Sequence, residues 1–339
     1  MPVFLSDTHA HAYSGSRVTS EGSNQRLLDV IAAMDLALQH ASRTRQSIIH
    51  AGDLFHDRKG VKPEVLHRVG EWLCRCNAVG VKVHVLVGNH DMSIHGDGTS
   101  STMGLVGSVV VHDTPGYTTI DGAVIAFLPY TEDPSVVREF TSRVKADALV
   151  AHLGLGDPKY SDCIPADYEV PGAINVSDLT PENYEQVFLG HYHNHQVIVP
   201  GVRYIGSPLQ LSFKESGQTK GFVSWQPGKS PKLVENTTSP RFLKVLGDVI
   251  PPDARPEDHV WLTGVSRDSG TELSAKSEDR VGQTRVDFAR REEVAPRIPG
   301  GIKGANLLRA YAKAVAPQET PAELEEIVRV GADLVAHSS

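Results

Sequence analysis

A layered α/β fold is what this sequence predicts, and three observations carry the expectation. Short apolar runs of strand length alternate with segments of helical periodicity through the first two-thirds of the chain. Glycine and proline punctuate the joins between them. Five of the apolar runs end in aspartate, asparagine or histidine. The alternation is met by strands layered against helices.

The elements follow in order. Residues 3–5 (VFL) form a strand leading into Ser6-Asp7-Thr8-His9. Leu27, Ile31, Met34 and Leu38, widened by Leu28, make an amphipathic stripe that predicts a helix over 24–43. Residues 47–50 are a short strand ending at Ala51-Gly52-Asp53. A second helix is expected over 63–78, with Pro63 in its first turn, where a missing amide costs nothing. Residues 82–87 form a strand that runs into Gly88-Asn89-His90-Asp91. A strand at 123–128 precedes a helical pattern at 134–145, and a further strand at 148–151 ends at His152. Residues 187–189 end at Gly190-His191-Tyr192-His193. QVIVPGVRYIG and KGFVSW, within 195–225, are β-rich and are expected as hairpins completing a second sheet. From about 240 the texture changes: PPDARPED and PRIPGG flank a short strand at 259–265 and a mixed segment to about 293. Helical stretches at 304–316 and 321–336 close the chain.

Composition narrows the class. With 339 residues, 40% hydrophobic and 22% charged, the chain has the make-up of a soluble globular protein with a substantial core. A net charge of −8 argues against coating nucleic acid by bulk electrostatics, although metal ions can supply positive charge locally. No apolar run approaches a membrane span, and MPVFLSDTHAH lacks the basic and apolar regions of a secretion signal. Cys74, Cys76 and Cys163 have neither metal-site spacing nor an even framework, which points to a reducing compartment. The expectation is a cytoplasmic protein with no membrane partner.

Function is concentrated where the strands end. VFL runs into Asp7-x-His9, IIHAG into Asp53, VLVG into Asn89-His90-Asp91, LVA into His152 and VFLG into His191-x-His193. Groups just past the carboxyl ends of strands in an open α/β sheet converge in one crevice. Asp7, His9, Asp53, Asn89, His152, His191 and His193 all offer nitrogen or oxygen and none offers sulfur, which suits Mn, Fe or Zn in five- or six-coordinate sites. Taken singly, each motif is an ordinary turn or strand end; their joint recurrence carries the reading. Seven ligands are too many for one ion and suit two that share a bridge. Asp53 is the carboxylate central in chain order.

In this order the motifs D-x-H, G-D, G-N-H-D, a lone histidine after a strand, and G-H-x-H resemble those of the calcineurin-like metallophosphoesterases. The resemblance implies a metallophosphoesterase β-sandwich flanked by helices around a two-metal centre. Asp7, His9, Asp53 and His193 would hold one ion, and Asp53, Asn89, His152 and His191 the other. Two ions about 3.5–4 Å apart can lower the pKa of a bridging water and hold phosphate oxygens during in-line attack. The leaving alkoxide then needs a proton. His90, beside Asn89, is the expected catalytic position for it. Asp91 either orients His90 or caps the next turn.

Two local features choose among phosphoesters. Phosphatase members read G-D-x-x-D, whereas this chain reads Gly52-Asp53-Leu54-Phe55-His56-Asp57. The segment resembles the GDLFH of double-strand-break repair nucleases, which implies that His56 helps to position the DNA end or scissile phosphate. The competing reading is a displaced loop histidine, with Asp57 doing the usual work. RYIGSPLQLSFKESGQTKGFVSW, residues 203–225, resembles the segment after G-H-x-H in SbcD-type nucleases and related recombination nucleases of T-even phages. Arg203, Lys214 and Lys220 either meet DNA phosphates there or are solvated surface.

The resemblance implies three parts: a nuclease domain at 1–240, a small α/β capping domain at 241–296, and a helical tail at 297–339. In the tail, Leu307, Leu308, Tyr311, Val315, Leu324, Ile327, Val328, Leu334 and Val335 form apolar stripes at helical spacing. These either pack on the chain itself or dock on the coiled-coil base of an SbcC-like ATPase subunit. The implied function is that of a DNA exonuclease/endonuclease subunit using two divalent ions, Mn first among them. It would work as a homodimer with that ATPase in recombination and repair. The alternatives are a hydrolase of small phosphodiesters or phosphomonoesters, and a catalytically weak scaffold for the ATPase.

Overall fold

The computed structural model describes residues 2–92, 109–156, 173–265, 283–288, 305–315 and 320–336; Cys163 lies outside them. One six-stranded sheet orders β12 (Lys232–Glu235), β11 (Gly221–Ser224), β1 (Val3–Leu5), β2 (Ile48–His50), β3 (Val83–Leu86) and β4 (Val110–His112). The last four are parallel, and β11 is antiparallel to both its neighbours. The other orders β5 (Gly116–Ile120), β6 (Ala123–Leu128), β7 (Ala148–His152), β8 (Gln186–Gly190), β10 (Val202–Tyr204) and β9 (Gln196–Val199), antiparallel at both edges only.

Strand periodicity explains why these runs read as continuously apolar: both faces are covered. Val3 and Leu5 of β1 point into a core shared with helices α1 (Gln25–Thr44) and α2 (Pro63–Ala78), while Phe4 points into the core between the sheets. Ile48 and Ile49 of β2 divide in the same way. Across the gap, Phe188 of β8 stacks on Phe4 with ring centroids 4.0 Å apart, and Trp225 closes the cluster. Leu149, Val187 and Leu189 face a third core covered by helix α3 (Pro134–Arg143). The fold is thus a helix-flanked β-sandwich, as expected.

Local chemistry sets the helix starts. Asn24 caps α1 by accepting from Leu27 N, and Glu64 in the first turn of α2 accepts from Asn24 N at 2.8 Å, which ties the two N-termini together. Asp133 caps α3 through Ser135 N. That helix ends at Arg143, two residues short of the expected boundary, because Val144 is already extended.

One expectation needs correction. Residues 195–225 do not all join the second sheet: the β9–β10 hairpin does, but β11 returns to the first sheet beside β1. Its Phe222 faces the helix-side core and Val223 the inter-sheet core, so either sheet satisfies its apolar pattern. The edge strands β4, β5 and β12 are not among the expected strands; β5 and β12 mix polar with apolar residues, whereas β4 continues an apolar run from Val109.

A separate parallel sheet of β13 (Phe242–Leu246), β14 (His259–Val265) and β15 (Gln283–Phe288) falls within 241–296 and has its own small core of Ile250, Val260, Leu262 and Val265. Buried Asp258 gathers the guanidinium groups of Arg241 and Arg255 at its base. Helices α4 (Ala305–Val315) and α5 (Pro321–Ala336) are linked by Arg309 and Glu325 at 2.7 Å. Ala312 and Val328 are buried, while Leu307, Tyr311 and Ile327 stay exposed; the side chains of Val315, Leu334 and Val335 lie outside those described. No helix among the described residues is long and apolar enough to cross a membrane.

The inter-sheet aromatic stack makes a direct prediction. Phe188→Ala leaves a cavity that neither sheet can close, so urea denaturation will show a loss of about 3–5 kcal/mol. A loss below about 1 kcal/mol would mean the sheets do not rely on this contact.

Candidate metal centre

The seven sequence-chosen side chains converge, with the two sheets contributing from different directions. Asp7 and His9 follow β1, Asp53 follows β2, and Asn89 follows β3; His152 ends β7, and His191 and His193 follow β8. Asp53 sits between the halves. Its Oδ2 lies 3.5 Å from His9 Nε2 and its Oδ1 3.4 Å from His152 Nε2. On the first side, His9 Nε2 and His193 Nε2 approach to 3.0 Å, and with an Asp7 oxygen they form one compact donor group. On the other, Asn89 Oδ1 lies 3.2 Å from His152 Nε2 and 3.1 Å from His191 Nδ1.

Backbone strain makes room for this meeting. Asp7, His9, Asp53 and His191 all have positive φ, at 51°, 45°, 57° and 98°. Non-glycine residues avoid that region, and their concentration here is the mark of loops bent to a task. The glycines beside them serve close approach. A Cβ on Gly52, at φ +99°, would come closer than 3 Å to the His152 ring, and one on Gly88 would collide with Asp53.

Fixed hydrogen bonds set the imidazole tautomers. His152 Nδ1 donates to the Ala51 carbonyl at 2.7 Å, and His193 Nδ1 donates to Glu215 at 2.9 Å. Each Nε2 is left facing the centre. Burial holds His9 well below the ordinary histidine range and brings His191 down to about 3, so both are neutral with lone pairs available. His152 goes the other way. Burial opposes its charge, but the adjacent Asp53 outweighs that and lifts it to about 9. Burial raises the Asp7 carboxyl. It works in the same direction on Asp53, but His152, His9 and His90 overcome it and hold that carboxyl well below the usual carboxylate range. Nitrogen and oxygen donors in two groups around one carboxylate, without sulfur, fit a pair of borderline-to-hard divalent cations.

At the mouth, His90 donates its backbone N–H to Asp53 Oδ1 at 2.8 Å, and its Nδ1 lies 2.6 Å from the His56 carbonyl. The His56 and His90 rings stack at 5.3 Å, and His56 Nδ1 is 3.3 Å from His9 Nδ1. Asp57, the rival for this place, accepts from Lys59 N in its own turn. Asp91 does a third job beyond the two foreseen. Its buried carboxylate accepts from Asp53 N, Phe55 N and Gly88 N, pinning the loop after β2 to the loop after β3. Burial, with Asp53 nearby, lifts its carboxyl to about 7.

Sequence reasoning missed Glu215 and misread Lys220. Lys220 is no phosphate-seeking surface cation: it is buried, 2.8 Å from Glu215 and 2.7 Å from the His193 carbonyl. A glutamate 22 residues from the histidine it serves leaves no spacing signature. Arg203 is half-buried against Gln186, and Lys214 lies in a short 3-10 turn. Tyr13 was also overlooked; its hydroxyl donates to the His9 carbonyl and its ring lies 6.0 Å from His56.

Comparison with known proteins bears on the same residues. Residues 3–195 match the family described as calcineurin-like phosphoesterase. The chain is 26% identical over 284 residues to the D component of the nuclease SbcCD of Escherichia coli (strain K12), covering 70% of this chain and 68% of the relative. Among solved structures, the Pseudomonas putida nuclease MPE aligns over 70% of this chain and 84% of its own, at 15% identity and a TM-score of 0.33. A hypothetical protein from Thermus thermophilus aligns over 69% of this chain and 98% of its own, at 14% identity and a TM-score of 0.38.

The crowding around the loops is testable without any ligand. Gly15 and Gly52 both have positive φ, but only Gly52 has a side chain in the way of a new Cβ. Gly15→Ala will cost roughly 1 kcal/mol in urea denaturation and Gly52→Ala at least about 3 kcal/mol. Equal costs would show that the loops are less tightly apposed than the distances imply.

Proposed function

This chain belongs to the calcineurin-like phosphoesterase family, a metal-dependent class, and from that premise we propose that it is the nuclease subunit of a DNA-end-processing complex. It hydrolyses phosphodiester bonds of DNA with two divalent ions, Mn first among them, as a homodimer with an SbcC-like coiled-coil ATPase. The observation that carries the reading is the pair of donor groups joined at Asp53, combined with histidine rather than aspartate three residues beyond it. The relative from the nuclease SbcCD supports the choice of substrate and partner.

In this reading Asp7, His9, Asp53 and His193 hold one ion, and Asp53, Asn89, His152 and His191 the other. When bound, such a pair supplies Lewis acidity that activates water and grips the phosphate oxygens. The protein's own contribution is proton handling and positioning. His90 Nδ1 faces a carbonyl and so keeps its proton, which leaves Nε2 as the atom that takes up a second proton and, from the imidazolium, passes it to the leaving oxygen. The His56 carbonyl thereby orients His90, and the His56 ring, stacked beside it, places the DNA end or scissile phosphate. Residues 241–296 form a capping domain that helps to seat DNA. The exposed Leu307, Tyr311 and Ile327 of the α4–α5 pair suit docking on the ATPase.

The decisive assay compares substrates. With Mn, the protein together with its ATPase partner will release nucleotides from end-labelled duplex DNA, and His90→Ala will lower kcat by about 10²–10⁴-fold. Turnover of an aryl phosphodiester with DNA left intact would instead favour a small-substrate hydrolase. Repair function surviving His90→Ala would favour the scaffold reading.

Metal loading will depend on pH with a definite sign. His152, lifted to about 9, carries a proton at neutral pH that an ion must displace. Mn affinity measured by calorimetry will therefore rise by roughly tenfold per pH unit between pH 6 and 8 at the group that holds His152. His193, whose charge burial opposes but the Glu215 hydrogen bond favours, adds a rise of the same sign at the other group. An affinity flat across that window would remove His152 from the ligand set.

A further inference from the structure

The segment 207–220 touches His193 at both ends of the residue and the three-stranded sheet at the same time. Ser207 N donates to the His193 carbonyl at 3.0 Å, and Lys220 Nζ donates to it at 2.7 Å. The Glu215 carboxylate accepts from the ring Nδ1 of the same histidine at 2.9 Å, from Lys220 at 2.8 Å and from Leu211 N at 3.0 Å. Glu215, Lys220 and Ser207 are all buried. The His193 ring is thus held by an internal ion pair, and nothing in that pair is free to follow solvent.

The opposite side of this segment is fastened to the third sheet. The Phe213 ring sits edge-on to Phe242 of β13 at 4.9 Å and to Trp261 of β14 at 5.6 Å. Gln210 Oε1 accepts from Phe242 N at 2.6 Å, and Ser216 Oγ accepts from Lys244 N at 3.0 Å. Phe213 and Glu215 are two residues apart in one short 3-10 turn, so a shift of the first displaces the second. Rigid short connections of this kind transmit small displacements, because packed side chains have few alternative arrangements.

We propose that Glu215 is a positioning residue for His193, and that the 3-10 turn at Phe213–Glu215 makes ion binding at His193 depend on the seating of the three-stranded sheet. The proposal rests on the reading that His193 holds a divalent ion. It adds that the β13–β15 sheet sets the affinity of that ion through Phe213, so whatever moves the sheet also loads or unloads half of the centre. The other group, built on Asn89, His152 and His191, reaches this turn only indirectly, through the shared Asp53 and His9, so the direct effect falls on the ion at His193.

Titration of the full chain with Mn, followed by the electron paramagnetic resonance signal of free Mn, tests this without reference to activity. Glu215→Gln alone would strand Lys220 as a buried charge, so it is combined with Lys220→Met to keep the fold. That double variant is expected to bind one of the two Mn equivalents about 10–100-fold more weakly, with the other far less affected. Phe213→Ala, with Phe213→Leu as the milder variant, is expected to weaken the same equivalent by roughly 3–10-fold. Adding Phe213→Ala to the double variant should cause little further loss, since both act through one turn. If the folded Phe213 variants bind both equivalents as the parent does, the coupling is overturned. If the Glu215 and Lys220 double variant does so, the positioning role is overturned as well. His193→Ala separates these failures from the underlying reading: loss of one equivalent there upholds the ligand, and retention of both overturns it.

Discussion

Asp53 is the point on which the architecture turns, because it is where loops from two sheets are brought within reach of one carboxylate. Its oxygens face His9 on one side and His152 on the other, and these histidines come from different sheets. Such a meeting demands backbone approaches closer than ordinary side chains allow, and Gly52 and Gly88 provide them. It also demands a fastening that does not compete for the carboxylate. Asp91 supplies that by collecting amides from both loops, which satisfies buried donors that would otherwise be unpaired. The Phe4–Phe188 stack behind the loops keeps the two sheets in the register that lets this happen.

The electrostatics follow from the same crowding. Four imidazoles and two carboxylates share a small buried volume, so no single group keeps its solution behaviour. Where burial and neighbouring imidazoles outweigh Asp53, as at His191, the ring is held neutral; where Asp53 outweighs burial, as at His152, the charge is retained. His9 and His193 bring their Nε2 atoms within 3.0 Å, a distance at which one ring donates to the lone pair of the other. The negative net charge of the chain is compatible with phosphate chemistry, because divalent ions at such a centre would supply positive charge locally.

The segment after the β9–β10 hairpin ties the chemistry to the periphery. It carries the Glu215–Lys220 pair inward to His193 and the Phe213 ring outward to the β13–β15 sheet. A buried ion pair is a poor source of stability compared with apolar packing. Its value here lies in direction: the carboxylate fixes one ring nitrogen, and the ammonium fixes the carbonyl of the same residue. An apolar replacement could fill the space and would orient nothing.

How much was legible from sequence depended on whether a signal was local. The apolar runs, Pro63 at a helix start, and the polar groups at strand ends are properties of neighbouring residues, and they were enough to locate β1–β3, α1, α2 and all seven convergent side chains. The same local pattern could not say which sheet β11 would join, because Phe222 and Val223 are apolar on both faces and fit either. Nor could it assign Asp91 to the amides around Asp53, 38 positions away, or Glu215 to His193. Sequence by itself determined the donor types and the strand ends that carry them, because periodicity and residue chemistry are written along the chain. Only the tertiary structure decided which donors face which, and what holds them there, because hydrogen bonds between distant loops depend on distances through space that no spacing along a chain encodes.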